Sequence, residues 1–234
     1  MAGHASPLPS DVKPRELIAT AAIPGGDTLQ LIRRDSDFMI MLGGNELMSS
    51  RVRGSEEALA VMTCERLANA ANAHLLVGGY GMGFTLRAAL AALGANARVT
   101  VAELVPEIIA WARGPMAALT SGCLDDPRVR VVAGDVGDAI AGATKAYDAI
   151  LLDVDNGPDG LVRAENDQLY STHGLATAKA ALKPGGILAI WSAAPDAAFT
   201  RRLKHAGFDA EEAIVRARGG GKGARHVIWF AKAR

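Results

Sequence analysis

The stretch HLLVGGYGMGFTLRAAL, His74 to Leu90, decides the fold. A short apolar run, Leu75–Val77, enters four glycines within six residues, Gly78, Gly79, Gly81 and Gly83, and an apolar helical pattern follows over Phe84–Leu93. Strand, glycine turn and helix in that order make a unit with a physical use. Glycines let the main chain turn tightly and let a ligand approach it, while the amino end of a helix offers unsatisfied N–H groups and partial positive charge. A purely structural turn is the alternative at this point.

Outward from this unit, short apolar runs alternate with helical patterns, as expected of a parallel sheet buried on both faces. Strands are predicted at Arg98–Glu103, Val129–Val132, Ala149–Asp153, Ile187–Trp191, Glu212–Val215 and His226–Ala231. Helices are predicted at Pro106–Ala112, Gly137–Ile140, His173–Leu182 and Asp196–His205. The pattern predicts an α/β fold: a Rossmann-like, doubly wound, mostly parallel seven-stranded sheet whose last strand inserts antiparallel. Ahead of it, runs at Leu17–Ala22, Thr28–Arg33 and Phe38–Leu42, separated by turn residues, predict a small antiparallel β-module. Ser55 is expected to cap a helix running to Leu67, with Glu56 and Glu57 suiting its start. The organisation read from this is an arm over residues 1–16, the β-module over 17–54 and the sheet domain over 55–234.

The strand ends carry the chemistry. Glu103 stands twenty positions beyond Gly83, where nucleoside-binding α/β folds hold a ribose with a carboxylate; a solvated loop acid is the alternative. Asp135 follows the third strand and is placed to accept from an adenine amino group. Asp153 emerges at the carboxyl edge of the fourth strand, where open α/β sheets bind ligands, and is the candidate proton acceptor or amine anchor, with Asp155 second; a loop cap is the alternative for each. From Asp135 to Asp167 there are eight acidic and two basic residues, a charge suited to a cationic substrate or simply to solvent. Tyr170 and Trp191 are candidates for lining an acceptor pocket, with core packing as the alternative. The glycine-rich basic segment Arg216 to Arg225 reads as a hairpin tip or a grip on an anion.

Composition narrows the class. Half the residues are hydrophobic, 5% are aromatic, and 25 basic residues balance 25 acidic ones, which excludes a disordered chain and argues against a base-stacking, phosphate-coating nucleic-acid binder. The neutral total hides a basic end, nine basic against three acidic residues from Arg201 to Arg234. Cys64 and Cys123 have no metal-ligand spacing, so no metal site is expected. No apolar run approaches a membrane span and the polar opening lacks a signal-peptide core, so a cytoplasmic protein is expected.

Taken together, LLVGGYGMG, VTVAEL, DDPRVRVVAGD, YDAILLDVDNGP and ALKPGGILAIWS resemble class I S-adenosylmethionine-dependent transferases. The branch they look most like is the spermidine synthase-like proteins. That resemblance implies that Gly79, Gly81 and Gly83 surround the methionine part of the cofactor, that Glu103 binds the ribose and Asp135 the adenine amino group, and that Gly78, Leu104, Val136 and Asp153 complete the binding set. It also implies a homodimer. Polyamine synthases of this branch carry an acid in the glycine turn where this chain has Gly81. An acid there tolerates the decarboxylated donor but repels the carboxylate of intact S-adenosylmethionine. Gly81, with Leu47 and Glu56 near positions where the branch has glutamine and tyrosine, leads to the expectation of an S-adenosylmethionine-dependent methyltransferase acting on a small-molecule or peptidic nucleophile. The alternatives are a polyamine aminopropyltransferase using decarboxylated S-adenosylmethionine and a non-catalytic S-adenosylmethionine-binding protein.

Overall fold

The computed structural model describes residues 14–24, 26–154, 166–218 and 222–234. The elements in chain order are β1 (Glu16–Ala22), β2 (Thr28–Arg34), β3 (Asp37–Leu42), β4 (Asn45–Ser49), α1 (Gly54–Arg66), β5 (His74–Gly78), α2 (Phe84–Ala92), β6 (Arg98–Glu103), α3 (Pro106–Arg113) and α4 (Ala117–Thr120). They continue with β7 (Val129–Ala133), α5 (Val136–Ala141), β8 (Tyr147–Leu152), α6 (Asn166–Tyr170), α7 (Thr172–Ala181), β9 (Leu182–Ser192), α8 (Ala197–His205), β10 (Phe208–Arg218) and β11 (Lys222–Ala233). The chain forms two compact units, one ending at Ser49 and the other beginning at Ser50.

The first unit is an antiparallel sheet in the order β1-β2-β3-β4. It has one strand more than expected, because β4 pairs with β3 from Leu42↔Asn45 to Met39↔Ser49. Asn45 to Ser49 alternates too weakly in polarity to announce a strand. Its two-residue connection, Gly43 and Gly44, is the stronger signal, since such loops close tight hairpins.

The second unit is a seven-stranded sheet in the order β10-β11-β9-β8-β5-β6-β7. Strands β5 to β9 run parallel to one another, while β11 inserts antiparallel between β9 and β10. The expected doubly wound, mostly parallel sheet and separate β-module are therefore present. Leu75, Leu76, Ala149, Ile150 and Leu151 are fully buried, which is why these strands read as continuous apolar runs. Burying each large side chain contributes roughly 1.5–3 kcal/mol.

Topology then places the site. The chain proceeds from β5 to β6 and β7 on one side, then returns to lay β8 on the other side of β5. The crevice over the carboxyl ends of β5 and β8 is thus the topological switch point, where ligands bind in open α/β sheets.

Several local expectations need correction. Ser55 is not the cap of α1: Arg53 occupies that position without a side-chain bond, and the Ser55 hydroxyl instead donates to Glu56 Oε2 at 2.7 Å. Strands β10 and β11 are longer than expected, pairing from Phe208↔Ala233 to Arg218↔Lys222. The charged residues of the edge strand β10 hide its alternation from an apolar-run reading. The helix expected from Asp196 begins at Ala197, because Asp196 is its cap, Oδ1 accepting from Ala198 and Phe199 N–H.

Candidate functional site

The glycine turn packs against the end of β8. Gly78 carbonyl accepts the Asp153 N–H at 3.1 Å and Gly79 N–H donates to the Ala102 carbonyl at 2.9 Å. Gly79 has φ +82°, and a β-carbon there would stand 2.7 Å from the Asp153 carbonyl oxygen. Gly83 has φ +75°, and a β-carbon would meet the Tyr80 hydroxyl at 2.6 Å. Both positions thus require glycine for conformation and for space. Gly81 also has positive φ. Beneath the turn, a β-carbon on Gly78 would meet Val136 Cγ2 at 2.8 Å, so Val136 forms its packed floor.

Glu103 organises this turn from below. It is 5% exposed, with Oε2 accepting the Tyr80 N–H at 2.8 Å and Oε1 the Val105 N–H at 2.9 Å. Burial pushes its carboxyl above the usual range, and the N–H donors, including Leu104, pull it back. The carboxylate thus gathers main-chain N–H groups from both the glycine turn and the end of β6. Asp135 caps α5, its Oδ1 accepting from Gly137 N–H at 2.7 Å.

Asp153 is half-buried directly after β8, and the Thr85 hydroxyl, in the first turn of α2, donates to its Oδ2 at 2.8 Å. Burial raises its pKa to about 6, and the Thr85 bond opposes that rise. Close by is an acid that the sequence reading did not assign to the site: Glu56 is 7% exposed, and burial first, then the negative charge of Asp153, raises its pKa to about 7. Helical phase was the available signal, since Glu56 precedes Leu59, Ala60 and Thr63 by three, four and seven positions, and all three are buried, whereas Glu57 points outward to Arg53 at 3.3 Å. Behind Glu56, His226 Nδ1 lies 2.9 Å from Ser55 Oγ.

Asp155 lies outside the described residues, as do Gly219 to Gly221 of the glycine-rich segment. Tyr170 is 2% exposed and packs edge-on against Phe199 in the core, so its ring is not part of a pocket wall. Trp191 meets His226 edge-on at 4.7 Å, which brings it to the Ser55 side of the site; its Nε1–H is buried and has no acceptor among the described residues. Cys64 and Cys123 are buried free thiols. Among the described residues no group of three His, Cys, Asp or Glu is placed to hold a metal ion, and no helix is long and apolar enough to cross a membrane.

The Spermine/spermidine synthase domain matches residues 54–198. A polyamine aminopropyltransferase from Mycobacterium tuberculosis is 31% identical over 166 residues, which is 70% of this chain and 30% of that protein. Polyamine aminopropyltransferase 1 from Streptomyces coelicolor is 33% identical over 126 residues, 53% of this chain and 23% of that protein. The match therefore spans less than a third of these longer relatives. Spermidine synthase from Thermotoga maritima shares the fold at a TM-score of 0.74 and 18% identity, over 93% of this chain and 73% of that one. A spermidine synthase in complex with the transition state analogue AdoDATO does so at 0.73 and 18%, over 93% and 72%.

These findings overturn the methyltransferase expectation, because the matching domain and both relatives belong to aminopropyl transfer. Gly81 misleads for a physical reason. Losing one acid removes a repulsion, but a donor carboxylate also needs a cation to receive it. Glu56, Glu103 and Asp153 are acids, and among the described residues no lysine or arginine pairs with any of them.

Proposed function

The chain belongs to the spermine/spermidine synthase family, and from that premise we propose that it transfers an aminopropyl group from decarboxylated S-adenosylmethionine to an amine. The observation that carries this reading is the family match over residues 54–198, which includes the glycine turn, Glu103 and Asp153. The acidic lining supports it, since the aminopropyl arm of the donor and the acceptor both carry ammonium groups and neither carries a carboxylate.

In this mechanism the Glu103 carboxylate accepts from the ribose hydroxyls, and the glycine turn lets the sulfonium arm lie against the main chain. The acceptor enters as an alkylammonium ion and gives one proton to Asp153. Its nitrogen then attacks the carbon bonded to sulfur, the carbon–sulfur bond breaks, and its electron pair stays on sulfur as a neutral thioether. The product leaves as a secondary ammonium ion. Asp153, with a pKa of about 6, is ionised at neutral pH yet close enough in acidity to hold the proton briefly, as a general base requires. Positioning supplies the rest, because the sulfonium is already activated.

Incubation with decarboxylated S-adenosylmethionine and a panel of diamines tests the proposal. Formation of methylthioadenosine together with an aminopropylated amine supports it. Absence of both across the panel, with purified folded protein, overturns it.

A further inference from the structure

Aminopropyl transfer through Asp153 and Glu103 leaves Glu56 without a task, although burying it is costly. A carboxylate in this setting requires hydrogen bonds or a counter-charge. Its Oε2 takes the hydrogen of the Ser55 hydroxyl. With that hydrogen committed, the His226 nitrogen 2.9 Å from Ser55 Oγ must be the donor, which fixes the Nδ1–H tautomer. Among the described residues the only other donor to this carboxylate is its own main-chain N–H. Asp153 shows the same pattern: Thr85 occupies Oδ2 and nothing described holds Oδ1. Thr85 Oγ1 is also 3.4 Å from the Glu56 carbonyl oxygen, so one hydroxyl brings the first turn of α1 to the end of β8.

The other charges nearby do not neutralise this pair. Glu57 is turned to Arg53, and Glu103 is committed to the glycine turn. Arg66, at the far end of α1, pairs with Glu211 of β10. Two acids that repel one another, Glu56 buried and Asp153 half-buried, each held by one side-chain hydroxyl, create a site for a single cation with several N–H donors. A primary alkylammonium group has three.

We propose that Glu56 is the second carboxylate of the acceptor site: Glu56 Oε1 and Asp153 Oδ1 together seat one alkylammonium group, and Ser55 and His226 hold Glu56 in place for it. This rests on the aminopropyl-transfer reading for its role in turnover, but not for the binding itself. Asp153 takes the proton from the seated nitrogen, and Glu56 keeps its charge facing the ammonium ion that the transfer produces.

Calorimetric titration with a four-carbon α,ω-diamine, in the presence of saturating methylthioadenosine, tests the seat directly. Glu56→Gln is expected to weaken diamine binding about tenfold or more, equivalent to about 1.4 kcal/mol, while the Kd for methylthioadenosine stays within about twofold. Ser55→Ala, which keeps the charge but frees it, is expected to weaken the diamine by a smaller factor, roughly threefold. Diamine binding by Glu56→Gln within about twofold of the parent, or a parent that binds no diamine at millimolar concentration, overturns the proposal. A parent that binds diamine through Glu56 yet forms no methylthioadenosine from the decarboxylated donor overturns the transfer reading and leaves the seat standing.

Discussion

Thr85 donates its hydroxyl hydrogen to Asp153 Oδ2 at 2.8 Å, joining the amino end of α2 to the carboxyl end of β8. This bond favours the ionised form and opposes the rise that burial imposes on Asp153. Thr85→Val keeps the volume and removes the donor. The acid limb of the kcat/KM profile for aminopropyl transfer, expected near pH 6 to 7 for the interacting Asp153 and Glu56, is then expected to move upward by about 0.5 to 1 on the pH scale. An unmoved limb would show that Asp153 does not set it.

Gly79 meets Asp153 through the main chain. A methyl group at Gly79 would sit 2.7 Å from a backbone oxygen at φ +82°, and neither strand end can yield without breaking the Gly78–Asp153 hydrogen bond at 3.1 Å. Gly79→Ala is therefore expected to cost about 2–4 kcal/mol in chemical denaturation and to abolish nucleoside binding. Gly43→Ala, a positive-φ glycine with open space around it, is the control for conformation alone, expected near 1 kcal/mol.

Glu103 holds the glycine turn and in the proposed function also binds the ribose, so the two roles can be separated by size of effect. Glu103→Ala leaves the Tyr80 and Val105 N–H groups without acceptors in a buried place and is expected to lower stability by about 2–4 kcal/mol. Glu103→Gln keeps one acceptor but sets an amide N–H against the second donor. A melting temperature well below the parent's, combined with methylthioadenosine binding weakened by about a hundredfold, is the expected outcome for Gln. Unchanged nucleoside affinity in a folded Gln variant would remove Glu103 from the binding site.

What could be read from the chain divides along physical lines. Parallel strands buried on both faces and a turn that only glycine can form leave local marks, so β5, β6, β8 and the positions of Glu103 and Asp153 were readable. Glu56, Ser55, Thr85 and His226 come from α1, α2 and β11, and only packing brings them together; no spacing within 171 residues of separation between Ser55 and His226 signals their bond. Tyr170 shows the converse limit: an aromatic near an acidic segment can be read as pocket or as core, and only packing shows it buried edge-on to Phe199. The methyltransferase expectation failed in the same way: Gly81, Leu47 and Glu56 each read as a single departure from a pattern, while the packing of Glu56 near Asp153 shows only in the fold.

Glu56 also makes stability depend on pH in a direction opposite to an ordinary paired acid. Its pKa is raised from 4.5 to about 7 in the folded chain, so the folded state binds its proton more tightly than the unfolded state does. The resulting stabilisation is fully present below pH 4.5 and is lost as pH rises through about 7. Every tenfold gain in proton affinity on folding is worth about 1.4 kcal/mol, and interaction with Asp153 makes part of the effect a property of the pair. Glu56→Gln removes this ionisation and leaves an amide that still accepts from Ser55. It is expected to raise stability at pH 8 by about 1–3 kcal/mol and to change it little at pH 5, as read by denaturant midpoints at the two values. Equal stabilisation at both pH values would mean that Glu56 does not ionise against its surroundings, and burial would then have no hold on its proton.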